Sequence, residues 1–260
     1  GNDFLFDTDG GDDLIGGSGD DIYLVQSNSV ITELANGGND LVRSTSSYVL
    51  SEHVEELFLL GTADIDGTGN GSDNRIVGKG GDNLLTGLDG DDTLLGGNGA
   101  DTQEGGAGAD LLRGGAGNDV LNGGTANDSL FGEGGRDTLT GGDGADFLNG
   151  GAAPDTLTGG TGADRFVFQD AFSLDVITDF EDGLDRINLT DIREENGGAA
   201  LSFNQLLITQ VGSTARIQLD LDMNGVADAI DLDGDSIADT VRIDLQNFSV
   251  ANLSASDFQL

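Results

Sequence analysis

The sequence predicts an all-β protein, a right-handed parallel β-roll built from a repeated nine-residue unit. Three observations predict this fold. An aspartate recurs every nine residues, glycines precede most of these aspartates, and an apolar residue usually follows two positions later. The unit at 114–122 shows all three features and fits G-G-x-G-x-D-x-U-x, in which U is a large apolar residue. The recurring aspartates are Asp92, Asp101, Asp110, Asp119, Asp128, Asp137, Asp146, Asp155 and Asp164.

Each unit predicts a turn of six residues and a strand of three. Glycine permits positive φ and close backbone approach, so the turn can aim several carbonyl oxygens inward. Two units complete one coil, and residues eighteen apart then stack at the strand spacing of about 4.8 Å. Gln103 interrupts the apolar row at position eight, and we expect it to loosen one coil. The other members of this predicted core are Leu94, Leu112, Leu121, Leu130, Leu139, Leu148, Leu157 and Phe166.

The stacking brings carboxylates together, which is unfavourable without a cation. Two carboxylates about 4 Å apart repel by roughly 4 kcal/mol at an effective dielectric of about 20. Ca²⁺ accepts about six to eight oxygen ligands in flexible geometry and suits such a site better than Mg²⁺, which demands a tighter octahedron. We therefore predict several Ca²⁺ ions between coils. Asp92, Asp110, Asp128, Asp146 and Asp164 form one predicted stack, and Asp101, Asp119, Asp137 and Asp155 form the other.

Further predicted ligands are glycine carbonyls in the turns and a short N-terminal array. Asn74 and Asn83 hold the aspartate position at the start of the main array, and an amide brings no charge, so we expect weaker sites there. Gly1 falls at the fourth position of a unit, so we expect the chain to begin inside a repeat. The glycines are Gly96, Gly105, Gly114, Gly123 and Gly141 at position one and Gly99, Gly108 and Gly117 at position four; the early aspartates are Asp3, Asp12 and Asp21.

The chain divides into four predicted segments. Residues 1–21 are the short array, 22–73 are solenoid coils of irregular length, 74–164 are the main roll, and 165–260 are a β-rich cap with a secretion signal. Short β-branched stretches in 22–73 predict strands. His53 lies there without a second histidine or a cysteine, so we interpret it as solvated. A solenoid needs its terminal apolar face covered, which is the role expected for the cap.

A second acidic pattern lies within the predicted cap. The order D-x-D-x-N-G, with further aspartates at loop positions nine and twelve, resembles a calcium loop in which Asp replaces the closing Glu. The alternative is an acidic surface turn. A second loop, with Asp233, Asp235 and Asp239, fits less well because it lacks glycine at position six. The predicted ligands of the first loop are Asp220, Asp222, Asn224, Asp228 and Asp231.

Composition excludes several functions. The 260 residues carry 48 acidic and 10 basic side chains, and the formal charge of −38 opposes compaction unless counterions bind. It also argues against nucleic acid or an anionic membrane as a direct partner, because both require a basic face. The chain has no cysteine for disulfides or thiolate metal sites. No apolar stretch approaches the roughly 18 residues of a membrane span.

The repeats resemble the RTX family, the hemolysin-type calcium-binding repeats. The stretch from 162 to 187 is similar to the region that closes the C-termini of serralysin-type proteases and related secreted proteins. The resemblance implies a secreted, extracellular bacterial protein, exported by a type I (ABC-transporter) apparatus that reads an uncleaved C-terminal signal. It implies that the chain stays unfolded at low calcium and folds outside the cell. The ending at 257–260 is similar to the acidic-then-apolar ending of that family.

Three functions remain in competition. The leading one is a non-catalytic calcium-binding folding and secretion module. The alternative is a calcium-dependent carbohydrate-binding or adhesion module resembling the R-modules of mannuronan epimerases, with Arg113 and Arg136 as scattered cationic contacts. An enzyme is the third. The chain has one histidine and cannot form the H-E-x-x-H zinc helix of serralysins, and it has no G-x-S-x-G nucleophile. We therefore expect no catalytic residues in this chain.

Overall fold

A computed structural model describes residues 1–7, 11–26, 29–168, 174–189, 206–211, 214–219, 242–246 and 249–259. Regular structure in these residues is almost entirely β, with two single-turn 3-10 helices at Val250–Asn252 and Ala255–Asp257. The all-β parallel roll predicted from the nine-residue period is confirmed.

The strands before the main array are β1 (Phe4–Phe6), β2 (Asp13–Ile15), β3 (Ile22–Val25), β4 (Val30–Thr32), β5 (Leu41–Ser44), β6 (Tyr48–Val49), β7 (Glu56–Leu59) and β8 (Gly67–Thr68). Those of the main array are β9 (Arg75–Gly80), β10 (Leu84–Asp89), β11 (Thr93–Asn98), β12 (Thr102–Ala107), β13 (Leu111–Ala116), β14 (Val120–Thr125), β15 (Ser129–Gly134), β16 (Thr138–Asp143), β17 (Phe147–Ala152) and β18 (Thr156–Thr161). The remainder are β19 (Arg165–Val167), β20 (Leu174–Ile177), β21 (Arg186–Asn188), β22 (Leu206–Val211), β23 (Thr214–Leu219), β24 (Arg242–Leu245) and β25 (Phe258–Gln259).

Successive strands alternate between two long sheets, so that each pair of strands makes one coil. Among the described residues, sheet 1 has 12 strands, the odd-numbered strands from β1 to β21 followed by β25. Sheet 2 has 11 strands; its even-numbered strands run from β6 to β20 and continue into β24, β23 and β22. In the main array the neighbours are parallel and eighteen residues apart, as in Leu94 paired with Leu112. Residues 22–73 contribute strands to the same two sheets, and β2 and β4 form a small sheet of their own.

The strands of the main array are longer than the repeat pattern predicts. We expected three extended residues per unit, but β9 to β18 each contain six, and three residues separate each from the next. The prediction was wrong because the chain pairs again after bending at position one. Leu111 to Arg113 pair with the coil before, Gly114 does not, and pairing resumes at Gly115, which takes a φ of 111°.

The position-eight side chains form the interior, as predicted. They lie in two stacks, one on each sheet, and all except Gln103 belong to a single apolar cluster. Phe166 and Ile187 extend the first stack toward the C-terminus, and Ile177 extends the second. All the members are fully buried: Ile76, Leu94, Leu112, Leu130, Leu148, Phe166 and Ile187 on sheet 1, and Leu85, Gln103, Leu121, Leu139, Leu157 and Ile177 on sheet 2.

The C-terminal part closes sheet 2 with a change of strand direction. Strands β22 and β23 pair antiparallel, and β23 pairs antiparallel with β24. Strand β25 is the last strand of sheet 1 and pairs in parallel with β21, with Phe258 opposite Ile187. Among the described residues, no helix has the length and apolar character needed to cross a bilayer.

Gln103 provides a test of the thin core. Its Nε2 donates to the carbonyl of Arg113 at 2.7 Å, but its Oε1 is buried without a hydrogen-bond partner. An unsatisfied buried acceptor costs about 1–3 kcal/mol. We expect Gln103→Leu to raise the free energy of unfolding in Ca²⁺ by a similar amount, measured by urea denaturation. Gln26→Leu, at an exposed position, is the matched control and should change it by less than about 0.5 kcal/mol. A Gln103→Leu protein no more stable than wild type would contradict this account of the core.

Candidate metal centre

Nine aspartates form two buried columns at the points where the turns enter the strands. Column 1 precedes strands of sheet 1 and contains Asp92, Asp110, Asp128, Asp146 and Asp164. Column 2 precedes strands of sheet 2 and contains Asp101, Asp119, Asp137 and Asp155. All nine side chains are at most 2% exposed. The structure therefore brings together the two sets that the eighteen-residue register predicts.

One oxygen of each carboxylate ties two coils together. Oδ1 of Asp110 accepts the backbone N–H of Asp92 at 2.7 Å, and Oδ1 of Asp137 accepts that of Asp119 at 2.8 Å. The same bond recurs along both columns. These bonds fix the orientation of the carboxylates, because each carboxylate is held by the residue one coil before it.

The second oxygen of each carboxylate has no partner. Oδ2 of all nine column aspartates is buried and forms no hydrogen bond. A buried, unpaired anionic oxygen is strongly unfavourable, since it has lost its water and gained nothing in return. Each column therefore carries a row of buried negative charges that no neighbouring positive charge or hydrogen-bond donor compensates at Oδ2.

A glycine carbonyl lies beside each of several orphaned oxygens. A Cβ added to Gly96 would lie within 3.0 Å of both Asp101 Oδ2 and the carbonyl oxygen of Gly114, and Gly105 shows the same arrangement with Asp110 and Gly123. A side chain at position one would therefore clash with these two oxygen atoms, a carboxylate oxygen and a carbonyl oxygen, both of which can be metal ligands. The carbonyls of all five predicted position-one glycines, Gly96, Gly105, Gly114, Gly123 and Gly141, face the space that such a side chain would occupy.

The position-four glycines lie elsewhere. Gly99, Gly108 and Gly117 take φ values of 123°, 130° and 145°, which turns the chain into the next unit. The atoms nearest to their Cβ positions are backbone atoms at position four of the coil before, and none of these neighbours is a column Oδ2. That Gly99, Gly108 and Gly117 supply carbonyl ligands stays a prediction.

The columns are poorly suited to negative charge without a cation. Burial, together with the charges of Asp175 and Asp137, raises the pKa of Asp155 to about 8. Burial also raises the pKa of Asp92 and Asp128 to about 7. For Asp101, Asp110, Asp119 and Asp137 burial raises the pKa to about 6.

These directions predict how the cation-free chain responds to pH. The pKa values of the folded columns lie above the ordinary value of 3.8, so protonation favours folding. Their contribution to stability is present near pH 4 and is lost as the pH rises through about 6 to 8. In chelator we expect circular dichroism to show β structure increasing as the pH falls from about 8 to about 4. In the presence of Ca²⁺ we expect the β content to increase with pH instead, because protons compete with the ion for the carboxylates. A chelated chain whose β content rises with pH would contradict this.

The donor set of the columns fits Ca²⁺. The spaces are lined by carboxylate and carbonyl oxygens, which are the ligands of hard divalent cations. The orphaned oxygens supply the negative charge that such an ion neutralises. Ca²⁺ bound there would use Oδ2 of the column aspartates and the position-one carbonyls.

Gly114 tests the requirement for empty space at position one. A Cβ at Gly114 would lie within 3.0 Å of Asp119 Oδ2, so we expect Gly114→Ala to displace that carboxylate and to raise the calcium concentration needed for folding by about tenfold. The measurement is a calcium titration followed by circular dichroism. Gly71→Ala is the matched control, because a Cβ there meets no atom within 4 Å and its φ is not positive. Equal midpoints for the two variants would show that position one tolerates a side chain.

Sequence analysis missed four residues that extend the columns. The N–H of Asp21 donates to Asp40 Oδ1, and that of Asp40 donates to Glu55 Oε2. At the other end, Asp175 Oδ1 accepts from Asp155 and Asp185 Oδ1 accepts from Asp164. The intervals differ from eighteen, which hid these residues. The available signal was an acidic residue two positions before a buried apolar one, as at Asp40–Val42, Glu55–Leu57, Asp175–Ile177 and Asp185–Ile187.

The remaining predicted ligands fall into three groups. Asp3 donates its N–H to Oδ1 of Asp21, which is fully buried, whereas Asp12 leads into the small sheet, where its carbonyl accepts the N–H of Val30. The amides of Asn74 and Asn83 bond the carbonyls of Val54 and Ile65, where a carboxylate could not donate. Asp220, Asp222, Asn224, Asp228 and Asp231, and the second loop with Asp233, Asp235 and Asp239, lie outside the described residues.

His53 lies apart from both columns. It is exposed, at a turn with a φ of 67°. This position agrees with a solvated side chain.

Comparison with known families identifies the repeats. The family model described as the RTX calcium-binding nonapeptide repeat matches four copies, at residues 1–24, 68–103, 104–139 and 140–168. The chain belongs to this RTX family. It therefore carries calcium-binding repeats, and its β-roll is a structural calcium-binding module. No curated relative matches the chain.

The solved structures that match this RTX chain include the following two. One is the solution structure of the AlgE6R3 subunit from the Azotobacter vinelandii mannuronan C5-epimerase, at 25% identity over 58% of this chain and 80% of that one, with a TM-score of 0.39. The other is the extracellular lipase LipA from Serratia marcescens, at 15% identity over 87% of this chain, with a TM-score of 0.34. This chain spans 45% of the length of the lipase.

Proposed function

We propose that this RTX chain folds outside the cell when Ca²⁺ fills the columns, and that it is the C-terminal folding and secretion region of a larger secreted bacterial protein. The observation that carries the proposal is the row of buried Oδ2 atoms without partners in both columns. The ligands of the Ca²⁺ ions would be the column aspartates and the carbonyl oxygens of the position-one glycines. Four predicted segments, 1–21, 22–73, 74–164 and 165–260, would serve as short array, irregular coils, main roll and cap.

The balance of forces makes folding depend on the ion. Each coil of the main array buries two position-eight side chains, and a fully buried Leu contributes only about 1.5–3 kcal/mol. Against this stand two buried carboxylates per coil and the conformational entropy of a chain with 45 glycines. Because Ca²⁺ binds the folded state and not the unfolded state, it shifts the equilibrium toward folding by mass action. Low calcium inside a cell would therefore keep the chain extended, which suits export through a type I ABC-transporter apparatus.

The burial of Asp257 and Phe258 supports this order of events. Phe258 is 8% exposed in the folded state and pairs with sheet 1. Asp257 is fully buried, and its Oδ2 accepts the N–H of Ser254 at 2.7 Å. A secretion apparatus could read these residues only before the chain folds, so calcium outside the cell would both complete export and conceal the signal.

Substitution of one column residue tests the proposal. Asp119→Asn removes one charge from column 2 while keeping the shape of the side chain. We expect its calcium-induced rise in β structure to need about three- to tenfold more Ca²⁺ than wild type. Asp89→Asn is the matched control, because Asp89 is exposed on a strand of sheet 2. Wild-type protein with equal β content in chelator and in millimolar Ca²⁺ would overturn the proposal.

A second function is favoured by the distribution of positive charge. Of the Lys and Arg residues in the part of the chain that the structure describes, six lie on strands of sheet 1, Arg216 and Arg242 lie on strands of sheet 2, and Arg136 lies in a turn. Of the two scattered cationic contacts suggested by the sequence, Arg136 therefore lies in a turn and Arg113 lies on β13 of sheet 1. Arg113 stacks over Phe131 at 5.5 Å, pairs with Glu133 at 2.5 Å, and borders an open groove of about 570 Å³. The six basic residues on sheet 1 are Arg43, Arg75, Lys79, Arg113, Arg165 and Arg186.

This face suits an anionic polysaccharide, with calcium bridging the remaining acidic groups. If it binds such a chain, Arg75→Gln/Arg113→Gln should weaken calcium-dependent binding to a polyuronate several-fold, and Arg136→Gln should leave it unchanged. Affinity electrophoresis in polyuronate gels with Ca²⁺ measures both. Wild-type protein that is not retarded, or equal retardation of all three proteins, would rule out a role for this face.

A further inference from the structure

Three acidic side chains meet near the N-terminal end of the roll, outside the regular array. Asp21 precedes β3, Glu33 follows β4, and Asp40 precedes β5. One carboxylate oxygen from each lies within 4.8 Å of the others. Asp21 and Asp40 are 0% exposed and Glu33 is 8% exposed. Glu33 does not occupy an aspartate position of any nine-residue unit.

The geometry differs from that of the two columns. In the columns, the space above a position-one glycine is bordered by one carboxylate oxygen and one glycine carbonyl. At Gly16 a Cβ would instead lie within 3.0 Å of Asp21 Oδ2, Glu33 Oε1 and the hydroxyl of Tyr23. A second carboxylate thus stands where the regular coils have a carbonyl, and the Asp21–Asp40 interval of nineteen residues accommodates it.

The cluster lacks the positive charge that its burial requires. Oδ2 of Asp21 and Oδ2 of Asp40 are buried without a hydrogen-bond partner. Glu33 Oε2 accepts the N–H groups of Gly17 and Leu34 at 3.1 and 3.3 Å, and Oε1 accepts the hydroxyl of Tyr23. These neutral donors hold Glu33 in place but do not offset three carboxylates, so the two orphaned oxygens point to a bound cation.

We propose that Asp21, Glu33 and Asp40 bind one divalent cation, Ca²⁺ by their oxygen chemistry, at a site where column 1 extends beyond the main array, and that this site is tighter than those of the main array. Affinity in oxygen sites rises with the number of charged ligands, and this site has three carboxylates. Tyr23 is a positioning residue that directs Glu33 toward the ion. The site fills at lower calcium than the columns and orders the first coils. The proposal needs the chain to bind calcium, but it assigns a ligand set that the repeats do not contain.

Terbium luminescence can observe this site alone. Tb³⁺ replaces Ca²⁺ at oxygen sites and emits when a nearby tyrosine is excited. The chain has two tyrosines and no tryptophan. Tyr23 contacts Glu33, whereas the hydroxyl of Tyr48 bonds the carbonyl of Ser29. We expect tyrosine-sensitised emission at the lowest terbium concentrations, its loss in Tyr23→Phe and its retention in Tyr48→Phe.

The ligand role is tested by removing one charge. Glu33→Gln should raise the terbium concentration for half-maximal sensitised emission by about tenfold or more. Glu104→Gln, at an exposed position on sheet 2, is the matched control and should leave it unchanged. Unaltered emission in Glu33→Gln, or loss of emission in Tyr48→Phe instead of Tyr23→Phe, would overturn the proposal.

Circular dichroism of the same samples separates this site from the proposed function. A Glu33→Gln protein that still gains β structure in millimolar Ca²⁺ but has lost the sensitised emission supports the site. A wild-type protein with sensitised emission but no calcium-dependent β structure would refute the folding function and leave the site standing.

Discussion

The buried carboxylates of the two columns are the constraint on which the rest of this structure depends. Each aspartate uses one oxygen to bond the backbone of the coil before it, so the side chain cannot turn outward to water without breaking that bond. The other oxygen is thereby held in a dry position. The same carboxylate therefore joins two coils through Oδ1 and requires a cation at Oδ2. A substitution that removes the need for the cation also removes the bond between the coils.

Glycine is the second requirement, and it serves a different purpose at each position. Position one must have no side chain because carboxylate and carbonyl oxygens occupy the space, whereas positions two and four must tolerate positive φ. Five residues other than glycine take positive φ in these two positions and carry a cost of about 1–2 kcal/mol each. The roll tolerates this because neighbouring coils hold the backbone from both sides. The five are Lys79, Leu88, Ala126, Glu133 and Ala153.

The nine-residue period predicted the columns and the core because both follow directly from stacking at eighteen residues. Asp119 and Leu121 lie where the register puts them, one before the strand and one inside it. The lengths of the strands were not predictable from the same pattern, since pairing after the bend at Gly114 depends on the neighbouring coil and not on propensity. The period did not predict the four further column residues, because the coils that contain them are not eighteen residues long. They stack on the columns because of their positions in the fold, and a fixed interval in the sequence does not reveal those positions. The four are Asp40, Glu55, Asp175 and Asp185. Glu33 could not have been found at all from the sequence, because its partners approach it from two other loops.

A crystal structure grown in Ca²⁺ tests the central claim most directly, through anomalous difference density between successive coils. This account predicts a peak within coordination distance, about 2.3–2.6 Å, of Oδ2 in each column aspartate of the main roll. Well-ordered coils with Asp119 and Asp137 in the same places, and no anomalous peak beside their Oδ2 atoms, would contradict it.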